Sequence, residues 1–408
     1  MSFVTSSGDG RVAARPQLIR SMNEQLLLEQ IRSAAPLSRP ELARLSGLSK
    51  PTVALALASL EEAGLVQVAG QRTGVRGPAA LLYELRPDAG FVVALDVGRE
   101  FIRGALADLA GAVRAKLSRR APATSARTRV AEVAALADEL RAAANVRRKG
   151  AVVQTVVGSP GVFDPARSAL RMAANLPGWE QPHVLTELRA RLGDATEIEN
   201  DVDMAAVAER DHGHGREVRT FAFVSVGTGI GMGVVIDGKL HRGAHGAAGE
   251  IAFLPLGPEE VEPREARHRG HLEASASSAA VVRAARAAGL DGHLTARRVF
   301  AAAAAGDDRA RSVVAREAEL VAKALASVIA VVDPELIVLG GGIGGAAGFA
   351  SSVVRDLERV APFVPEIRVS ALAEDAVVLG CLATGLELAW QRVLRSRAPD
   401  GAGMRSRR

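Results

Sequence analysis

Two glycine-rich segments each follow an apolar strand and could bind a phosphate or a sugar. The first spans Ser225–Gly233 and the second ends the stretch Asp333–Gly342. Glycines leave backbone N–H groups open to a ligand because no side chain stands in the way. Either segment alone is equally typical of an ordinary strand connection.

Polar side chains that could act on a hydroxyl group occur at three other places. Asn200 and Asp201 follow the alternating strand 196–199, where an exposed aspartate could serve as a general base. Asn175 lies in a loop with a rigid Pro-Gly turn, and Glu250 follows a glycine. Each of them alone could be ordinary surface or turn chemistry.

A second function is indicated near the N terminus, where three helices are predicted. Apolar residues recur with helical period over 17–34. Ser38 is a predicted N-cap for a helix over 39–45, and Ser49 caps a third helix that ends at Gly64. Small residues and a glycine at the tight turn indicate a helix-turn-helix.

Two strands, 65–68 and 80–85, flank the basic, glycine-rich turn 71–78 and complete a predicted winged helix-turn-helix. The start of the third helix would read base edges in the major groove, and the wing arginines would enter the minor groove or bind phosphates. The predicted DNA contacts are Ser38, Ser49, Lys50, Thr52, Arg72 and Arg76, and Ala56 is expected to face outward with them. The alternative is a winged helix used for protein contacts.

The positive charge of the chain is concentrated at its two ends. The net charge is +5 over 408 residues. Residues 1–86 carry 10 basic and 7 acidic side chains, residues 395–408 carry 5 and 1, and the middle is slightly acidic. A basic leading domain favours DNA binding, whereas the basic tail is typical of a solvated charge run.

Beyond Pro87 short apolar strands alternate with helical segments, which indicates an α/β protein, most simply two lobes facing a cleft. The predicted domains are a flexible N terminus (1–15), the winged helix-turn-helix (16–86), the two-lobed domain (88–395) and a basic flexible tail (396–408).

Cys381 is the only cysteine, so the chain forms no internal disulfide and no site that needs two thiolates. We expect it to be a buried helix residue. The first fifteen residues lack the apolar core of a signal peptide, and the apolar stretch 320–332 is too short to cross a bilayer. These features predict a cytoplasmic, nucleoid-associated protein with no membrane partner.

In combination the motifs of the second domain resemble the ROK family of repressors, open reading frames and sugar kinases. The resemblance covers about residues 88–390, and the leading winged helix is similar to that of the ROK transcriptional regulators. It rests on the order of seven segments: Ser159–Asp164, Ala174–Trp179, Glu199–Asp203, Val226–Gly231, Ala248–Ile251, Gly270–Glu273 and Asp333–Gly342.

The resemblance implies an actin-like, ribonuclease-H-like fold of ATPase type, with sugar and ATP sites between two lobes. By motif position the sugar contacts would be Asn175, Asn200, Asp201, Glu250 and Glu273, with Asp201 as a vestigial catalytic base. The vestigial nucleotide site would contain Asp96, Gly98, Gly227, Thr228, Gly229, Gly340, Gly341 and Gly342.

The first phosphate motif departs from that of the family kinases. ROK kinases open with Asp-x-Gly-Gly-Thr-Lys, whereas Asp96 here continues as Val-Gly-Arg-Glu-Phe. The threonine and the lysine are lost, and Glu100 would place a carboxylate near phosphate charge. Because phosphoryl transfer depends on neutralising phosphate oxygens, efficient use of ATP is not expected.

The zinc site of the family is also missing from the sequence. Its histidine position holds Phe253, and its three cysteine positions hold Arg264, Ala266 and His271. No thiolate ligand remains, so no metal or other cofactor is expected. His268 and His271 could still bind a metal, but a solvated loop is the favoured interpretation. The change at Phe253 also removes one expected sugar contact.

The sequence thus predicts a sugar-responsive DNA-binding transcriptional regulator, a repressor, that acts as a homodimer or dimer of dimers on a palindromic operator. Two alternatives remain open at this point. One is an ATP-dependent sugar kinase that carries a DNA-binding domain. The other is a regulator that has lost sugar sensing and responds to another protein or ligand.

Overall fold

The computed structural model describes residues 16–72, 80–122, 125–148, 150–164, 169–173, 176–257 and 262–396. Asn175 and Arg76, two of the predicted site residues, lie outside this described part, as do residues 1–15 and 397–408.

The described residues belong to two compact units. The winged-helix unit takes in those within Met1–Phe91, Asp108–Ala112 and Glu387–Arg408, and the two-lobed unit those within Val92–Ala107 and Val113–Leu386. The domain boundary predicted from the sequence lies near residue 87, so it does not include the two later segments in the first unit. Two contacts explain why late residues join the first unit: Trp390 Nε1 donates to the Leu109 carbonyl at 3.1 Å, and Gln25 Nε2 donates to the Leu394 carbonyl at 3.2 Å.

Three helices form most of the winged-helix unit, as predicted: α1 Pro16–Ala34, α2 Arg39–Ser46 and α3 Lys50–Glu62. α2 begins with a capping box, in which the Glu41 N–H donates to the Ser38 hydroxyl and the Ser38 N–H donates to the Glu41 carboxylate. It ends at Gly47, whose φ of 70° is a conformation that glycine adopts without strain.

A small antiparallel sheet completes this unit. Its strands are β1 Leu37–Ser38, β2 Val66–Arg72 and β3 Ala80–Leu85, with β3 in the centre. Leu27, Leu57, Leu60 and Tyr83 are fully buried between the helices and the sheet. The predicted winged helix-turn-helix is confirmed, and residues 73–79, between β2 and β3, lie outside the described residues.

The first lobe of the two-lobed unit is built on a five-stranded sheet. Its strands are β4 Phe91–Val97, β5 Phe101–Asp108, β6 Val113–Arg120, β7 Val152–Ser159 and β10 Thr196–Asn200, and a separate hairpin contains β8 Val162–Asp164 and β9 Ala169–Arg171. The sheet order is β10-β7-β4-β5-β6, and β10 runs parallel to β7. The helices of this part are α4 Ala126–Ala143, α5 Pro182–Leu192 and α6 Asp201–His212.

The second lobe repeats a five-stranded sheet. Its strands are β11 Phe221–Val226, β12 Ile230–Ile236, β13 Lys239–Leu240, β14 Leu336–Gly340 and β15 Glu366–Val369, in the order β13-β12-β11-β14-β15. The remaining helices are α7 Pro263–Arg269, α8 His271–Ala276, α9 Ser278–Ala287, α10 Ala296–Ala304, α11 Asp308–Val332, α12 Gly341–Gly344, α13 Phe349–Leu357 and α14 Ala376–Ser396. The predicted α/β, two-lobed architecture is confirmed.

The alanine-rich segment 275–287 belongs to two helices, α8 and α9, in the structure. Ser277 is extended, with φ of −99° and ψ of 171°, so α8 ends before it and α9 begins after it. Ser278 donates to the Gly227 carbonyl through its backbone N–H at 2.7 Å and its hydroxyl at 2.8 Å. The break therefore brings α9 to the first glycine-rich segment.

The first half of the apolar helix α14 packs against the rest of the two-lobed unit. Ala373–Arg395 has a length and a mean hydropathy of 1.3 that would also suit a membrane span. In the structure, however, Gly380 lies against the backbone of Met204 and Gly385 against Val92. Cys381 is fully buried, as predicted, and burial raises the pKa of its thiol.

Candidate functional site

A cleft of about 1050 Å³ in the two-lobed unit collects most of the side chains that the sequence singled out. The predicted residues that line it are Gly98, Asn200, Asp201, Gly227, Thr228, Gly229, Glu250, Glu273, Gly340, Gly341 and Gly342. Asp96 lies in the same region but is buried at the end of β4. Six segments that are distant in the chain thus contribute to one cleft.

Asn200 and Asp201 lie where β10 passes into α6. The Asn200 side-chain oxygen accepts from the N–H groups of Val202 and Asp203, and its amide nitrogen donates to the Gly161 carbonyl at 3.0 Å. Asn200 is therefore chiefly the N-cap of α6, which leaves it one amide N–H for a ligand. Asp201, in the first turn, accepts from the Val202 N–H at 2.9 Å and lines the cleft.

Two glutamates come from the second lobe. Glu273 of α8 is buried, and its Oε2 accepts from the Ile230 N–H at 3.0 Å. Glu250 follows Gly249, whose φ of 90° and distance of 1.9 Å from a hypothetical Cβ to the Met232 carbonyl oxygen admit only glycine. The Glu273 carboxylate is thus held by the backbone of β12, and the backbone just before Glu250 packs against the same strand.

Burial makes the carboxyl groups of the cleft weak acids. It raises the pKa of Asp96 to about 7, of Asp201 to about 6 and of Glu250 to about 7, and nearby carboxylates add to the rise for Asp96 and Glu250. Asp203, which the sequence analysis missed, has its pKa raised to about 7 by the same burial. Groups of this kind both donate and accept hydrogen bonds near neutral pH, which suits the hydroxyls of a sugar.

These pKa values predict that the free protein loses stability as pH rises from 5 to 8. A carboxyl group whose folded pKa lies above its unfolded value stabilises the fold when protonated, and this contribution is lost as pH rises through the folded pKa. Asp203→Asn removes one such group, so the melting temperature of the variant should fall less over this range. Differential scanning fluorimetry at a series of pH values would measure it.

Asp237→Asn is the matched control because Asp237 is an exposed aspartate of the second lobe, paired with Arg219. Its melting temperature should follow that of the wild type at every pH. A wild-type melting temperature that stays level or rises from pH 5 to 8 would contradict the prediction.

The first phosphate motif is closed by its own contacts. The Gly98 N–H donates to the Phe101 carbonyl at 3.0 Å, which makes 98–101 a tight hairpin turn. Arg129, a buried residue of α4, holds this turn by donating to the Arg99 carbonyl at 2.8 Å. The Gly98 N–H is therefore used within the turn, whereas in a phosphate-binding loop it would be available to the ligand.

Arg103 of β5 lies beside this turn and pairs with two carboxyl groups. Its Nη1 lies 3.4 Å from Asp96 Oδ2, and its Nη2 donates to Glu374 at 2.9 Å. The guanidinium also lies 5.1 Å above the ring of Phe101. Asp96 is thus partnered by a cation of the protein, and the residues present do not fit a kinase-type ATP site at this motif.

The two other glycine-rich segments meet at one edge of the second sheet. A Cβ on Gly227 would lie 3.3 Å from the Gly342 nitrogen, and one on Gly341 would lie 2.5 Å from the Val226 carbonyl oxygen. This contact follows from the parallel pairing of β11 and β14, which ends both strands at the same edge. The predicted grouping of these glycines is therefore present in the cleft.

At the zinc positions of the family, His271 is the one side chain among the described residues that could bind a metal. No cluster of three or more histidine, cysteine or carboxylate side chains suited to a metal is found there. His271 Nδ1 lies 3.3 Å from the Leu256 carbonyl, and Phe253 is exposed to the cleft. These residues do not fit a zinc ion.

The outward face of α3 differs in part from the prediction. Ser49 and Lys50 are exposed, and Ser49 caps the helix by accepting from the Thr52 N–H at 3.3 Å. Ala56 was expected to face outward but is 3% exposed, because it lies on the inner side with Leu57. Leu55, which the sequence analysis missed, is 69% exposed. Pro51, Leu55 and Ala58, spaced i, i+4, i+7, form an exposed stripe of α3 that no polar residue marks in the sequence.

Two of the predicted DNA contacts are used within the winged-helix unit. Ser38 is buried, and its hydroxyl donates to the Glu41 carboxylate at 2.6 Å, so it caps α2 and has no surface to offer to DNA. Arg72 is half-exposed and donates to Glu41 at 2.7 Å, which ties β2 to α2. The hydrogen bonds from Ser38 and Arg72 lower the pKa of Glu41 to about 2.

Comparisons with known proteins agree with these features. The sequence matches the ROK family over residues 92–384 and a winged helix-turn-helix DNA-binding family over residues 23–67. It is 23% identical to a xylose repressor of Caldicellulosiruptor bescii over 90% of this chain and 96% of that protein. It is 32% identical to a glucokinase of Thermotoga maritima over 55% of this chain and 76% of that enzyme.

A solved structure shares the fold. The crystal structure of a ROK-family transcriptional regulator, a homologue of the E. coli Mlc protein, matches with a TM-score of 0.71 and 22% identity. The match covers 94% of this chain and 100% of that one.

Proposed function

Because the chain belongs to the ROK family and begins with a winged helix-turn-helix, we propose that it is a sugar-responsive, DNA-binding transcriptional repressor. The observation that carries this proposal is the pairing of Asp96 with Arg103, beside a cleft that is still lined by the carboxyl groups expected to bind a sugar. A domain of this kind can bind a sugar but is poorly equipped to bind ATP. The similarity to a repressor extends over 90% of the chain, which supports the same conclusion.

The proposed mechanism couples the cleft to DNA through the dimer. Asp201, Glu250 and Glu273 would hydrogen-bond the sugar hydroxyls, and a sugar that binds one arrangement of the lobes better stabilises that arrangement. A preference of about 1–3 kcal/mol is enough for a typical allosteric effect. In a homodimer or dimer of dimers the two recognition helices would read half-sites a whole number of helical turns apart. Such a protein would act in the cytoplasm, on nucleoid DNA.

Operator binding and its release by sugar test the proposal together. Labelled DNA from upstream of the protein's own gene would be titrated by fluorescence polarisation at several salt concentrations. We expect specific, salt-sensitive binding that at least one pentose, hexose or amino sugar weakens. The absence of specific binding to that DNA would contradict the repressor assignment.

Lys50→Ala should weaken operator binding and reduce the salt dependence. Lys50 is an exposed cation at the start of α3, where a lysine binds a phosphate or a guanine edge. We expect a loss of about 1–3 kcal/mol if it reads a base, and a salt slope lower by about one if it binds a phosphate. The same titration measures both.

Lys239→Ala is the control for this prediction because Lys239 is an exposed lysine in the β12–β13 hairpin of the two-lobed unit. Equal effects of the two substitutions would show that general charge, and not the recognition helix, is responsible.

The second candidate function is that of a sugar kinase, favoured by the presence of Asp201 and both glycine-rich segments in one cleft. The similarity to a glucokinase agrees with it. A coupled assay of ADP release over common hexoses and amino sugars tests this function. We expect no turnover above that of Asp201→Asn; turnover that this variant abolishes would establish the kinase.

A further inference from the structure

Two large apolar side chains are open to the cleft beside its polar groups. Met172 is 36% exposed and Phe253 is 38% exposed, and both line the cleft. Removal of apolar surface from water favours binding, so apolar side chains that are open in a ligand cleft indicate an apolar part of the ligand.

Phe253 lies on the same wall as two of the carboxyl groups. It ends the short 3₁₀ turn Ile251–Phe253, directly after Glu250. Gly270 contacts this turn so closely that a Cβ would lie 2.2 Å from the Ala252 carbonyl oxygen, and Gly270 also starts α8, which carries Glu273. The phenyl ring offers no hydrogen bond to a hydroxyl, but it offers an apolar face next to groups that do.

Met172, in the first lobe, has a strained backbone conformation that its neighbours hold in place. Its φ of 60° is rare for a residue other than glycine, so the surroundings must enforce it. The Ala173 N–H donates to Glu180 at 2.6 Å, and Gly161 approaches so closely that a Cβ would lie 2.5 Å from the Arg171 carbonyl oxygen.

The same Gly161 carries the carbonyl that accepts from Asn200. Met172 is therefore placed beside the start of α6, where Asp201 lies. A methionine side chain is flexible and polarisable, and it makes favourable contacts with aromatic rings.

We propose that the effector is an aryl glycoside, whose sugar hydroxyls bind the carboxyl groups and whose aromatic aglycone packs against Met172 and Phe253. This inference rests on the proposed sugar-responsive function. The anomeric oxygen is the position at which a sugar most readily carries an apolar group. The cleft volume of about 1050 Å³ leaves room beyond a monosaccharide, since pockets of about 300–1,000 Å³ hold drug-sized ligands.

Matched pairs of glycosides test the proposal by isothermal titration calorimetry with the full-length protein. The probes are the phenyl and methyl β-D-glycosides of glucose, galactose and xylose, which differ within a pair only in the aglycone. For at least one sugar we expect the phenyl glycoside to bind about tenfold tighter than the methyl glycoside or better. In Phe253→His this ratio should fall to about threefold or less, because the aglycone loses the phenyl face, whereas any new contact of the imidazole with the sugar would affect both glycosides alike.

Met172→Ser should reduce the same ratio, since it removes the other apolar side chain. Phe363→His is the control, because Phe363 is 49% exposed and does not line the cleft. Phe253 and Met172 are both partly exposed, so the variants should fold, and their melting temperatures would verify this.

Three outcomes would overturn the proposal. In one, the phenyl and methyl glycosides bind the wild type equally. In the second, Phe253→His weakens both glycosides equally, which would mean that the ring stacks on the sugar itself. In the third, neither a glycoside nor a free sugar binds at all, and then the proposed sugar-responsive function fails along with the aryl preference.

Discussion

Asp201→Asn should shift the response to sugar to about 10–100-fold higher sugar concentrations and leave operator binding intact. Asp201 lines the cleft in the first turn of α6, and its pKa of about 6 keeps it mainly ionised at pH 7.5. A hydrogen bond to a charged group is worth about 1.5–3 kcal/mol, so replacement by a neutral amide should weaken sugar binding by about 10–100-fold. The measurement is a sugar titration of the complex with labelled operator.

The substitution is well suited to this test because asparagine keeps the local fold. Its side-chain oxygen can still accept from the Val202 N–H, as Asp201 does now. Asp211→Asn is the control on the same helix, at a residue paired with Arg210 outside the cleft. A normal sugar response in Asp201→Asn would remove this residue from the site, and a loss of operator binding would mean that the variant acts on the fold.

Gly380→Ala should destabilise the two-lobed unit strongly. A Cβ at this position of α14 would lie 1.8 Å from the Met204 carbonyl oxygen and 2.5 Å from its carbonyl carbon. Because both neighbours are backbone atoms, α14 and α6 would have to separate, which opens the buried contact between them. Overpacking of this kind costs about 3 kcal/mol or more, which corresponds to a fall in melting temperature of about 6–12 °C.

The control for this substitution is Gly342→Ala. Nothing lies within 4 Å of a Cβ at Gly342, and its φ is not positive. Thermal unfolding followed by circular dichroism should therefore separate the two variants clearly. Similar melting temperatures for them would show that the contact between α14 and α6 is more adaptable than the structure indicates.

Much of the cleft could be predicted from the sequence because each of its residues belongs to a local motif. Asp201, Glu250 and the glycines each lie next to a strand end or a turn, and the order of the motifs predicted that they would meet. The pairing of Arg103 with Asp96 and Glu374 could not be predicted in this way. Glu374 is 271 residues from Arg103, and neither belongs to a motif, so only the folded chain brings them together.

The recognition helix shows a second limit of sequence interpretation. Ala56 was placed outside and Leu55 was overlooked, because alanine fits either side of a helix and a leucine is normally expected inside. For Ser38, the same hydroxyl suits a helix cap and a DNA phosphate, and only the hydrogen bonds to Glu41 decide between them.

The burial of Cys381 makes the natural chain ready for site-specific labelling. Its sulfur is fully buried and its pKa is raised, so the reactive thiolate form is suppressed. Since no other cysteine exists in the chain, a cysteine introduced on the surface would be the one thiol that a maleimide dye reaches. A dye at Lys239→Cys, for example, could report lobe motions by fluorescence without first removing a native thiol.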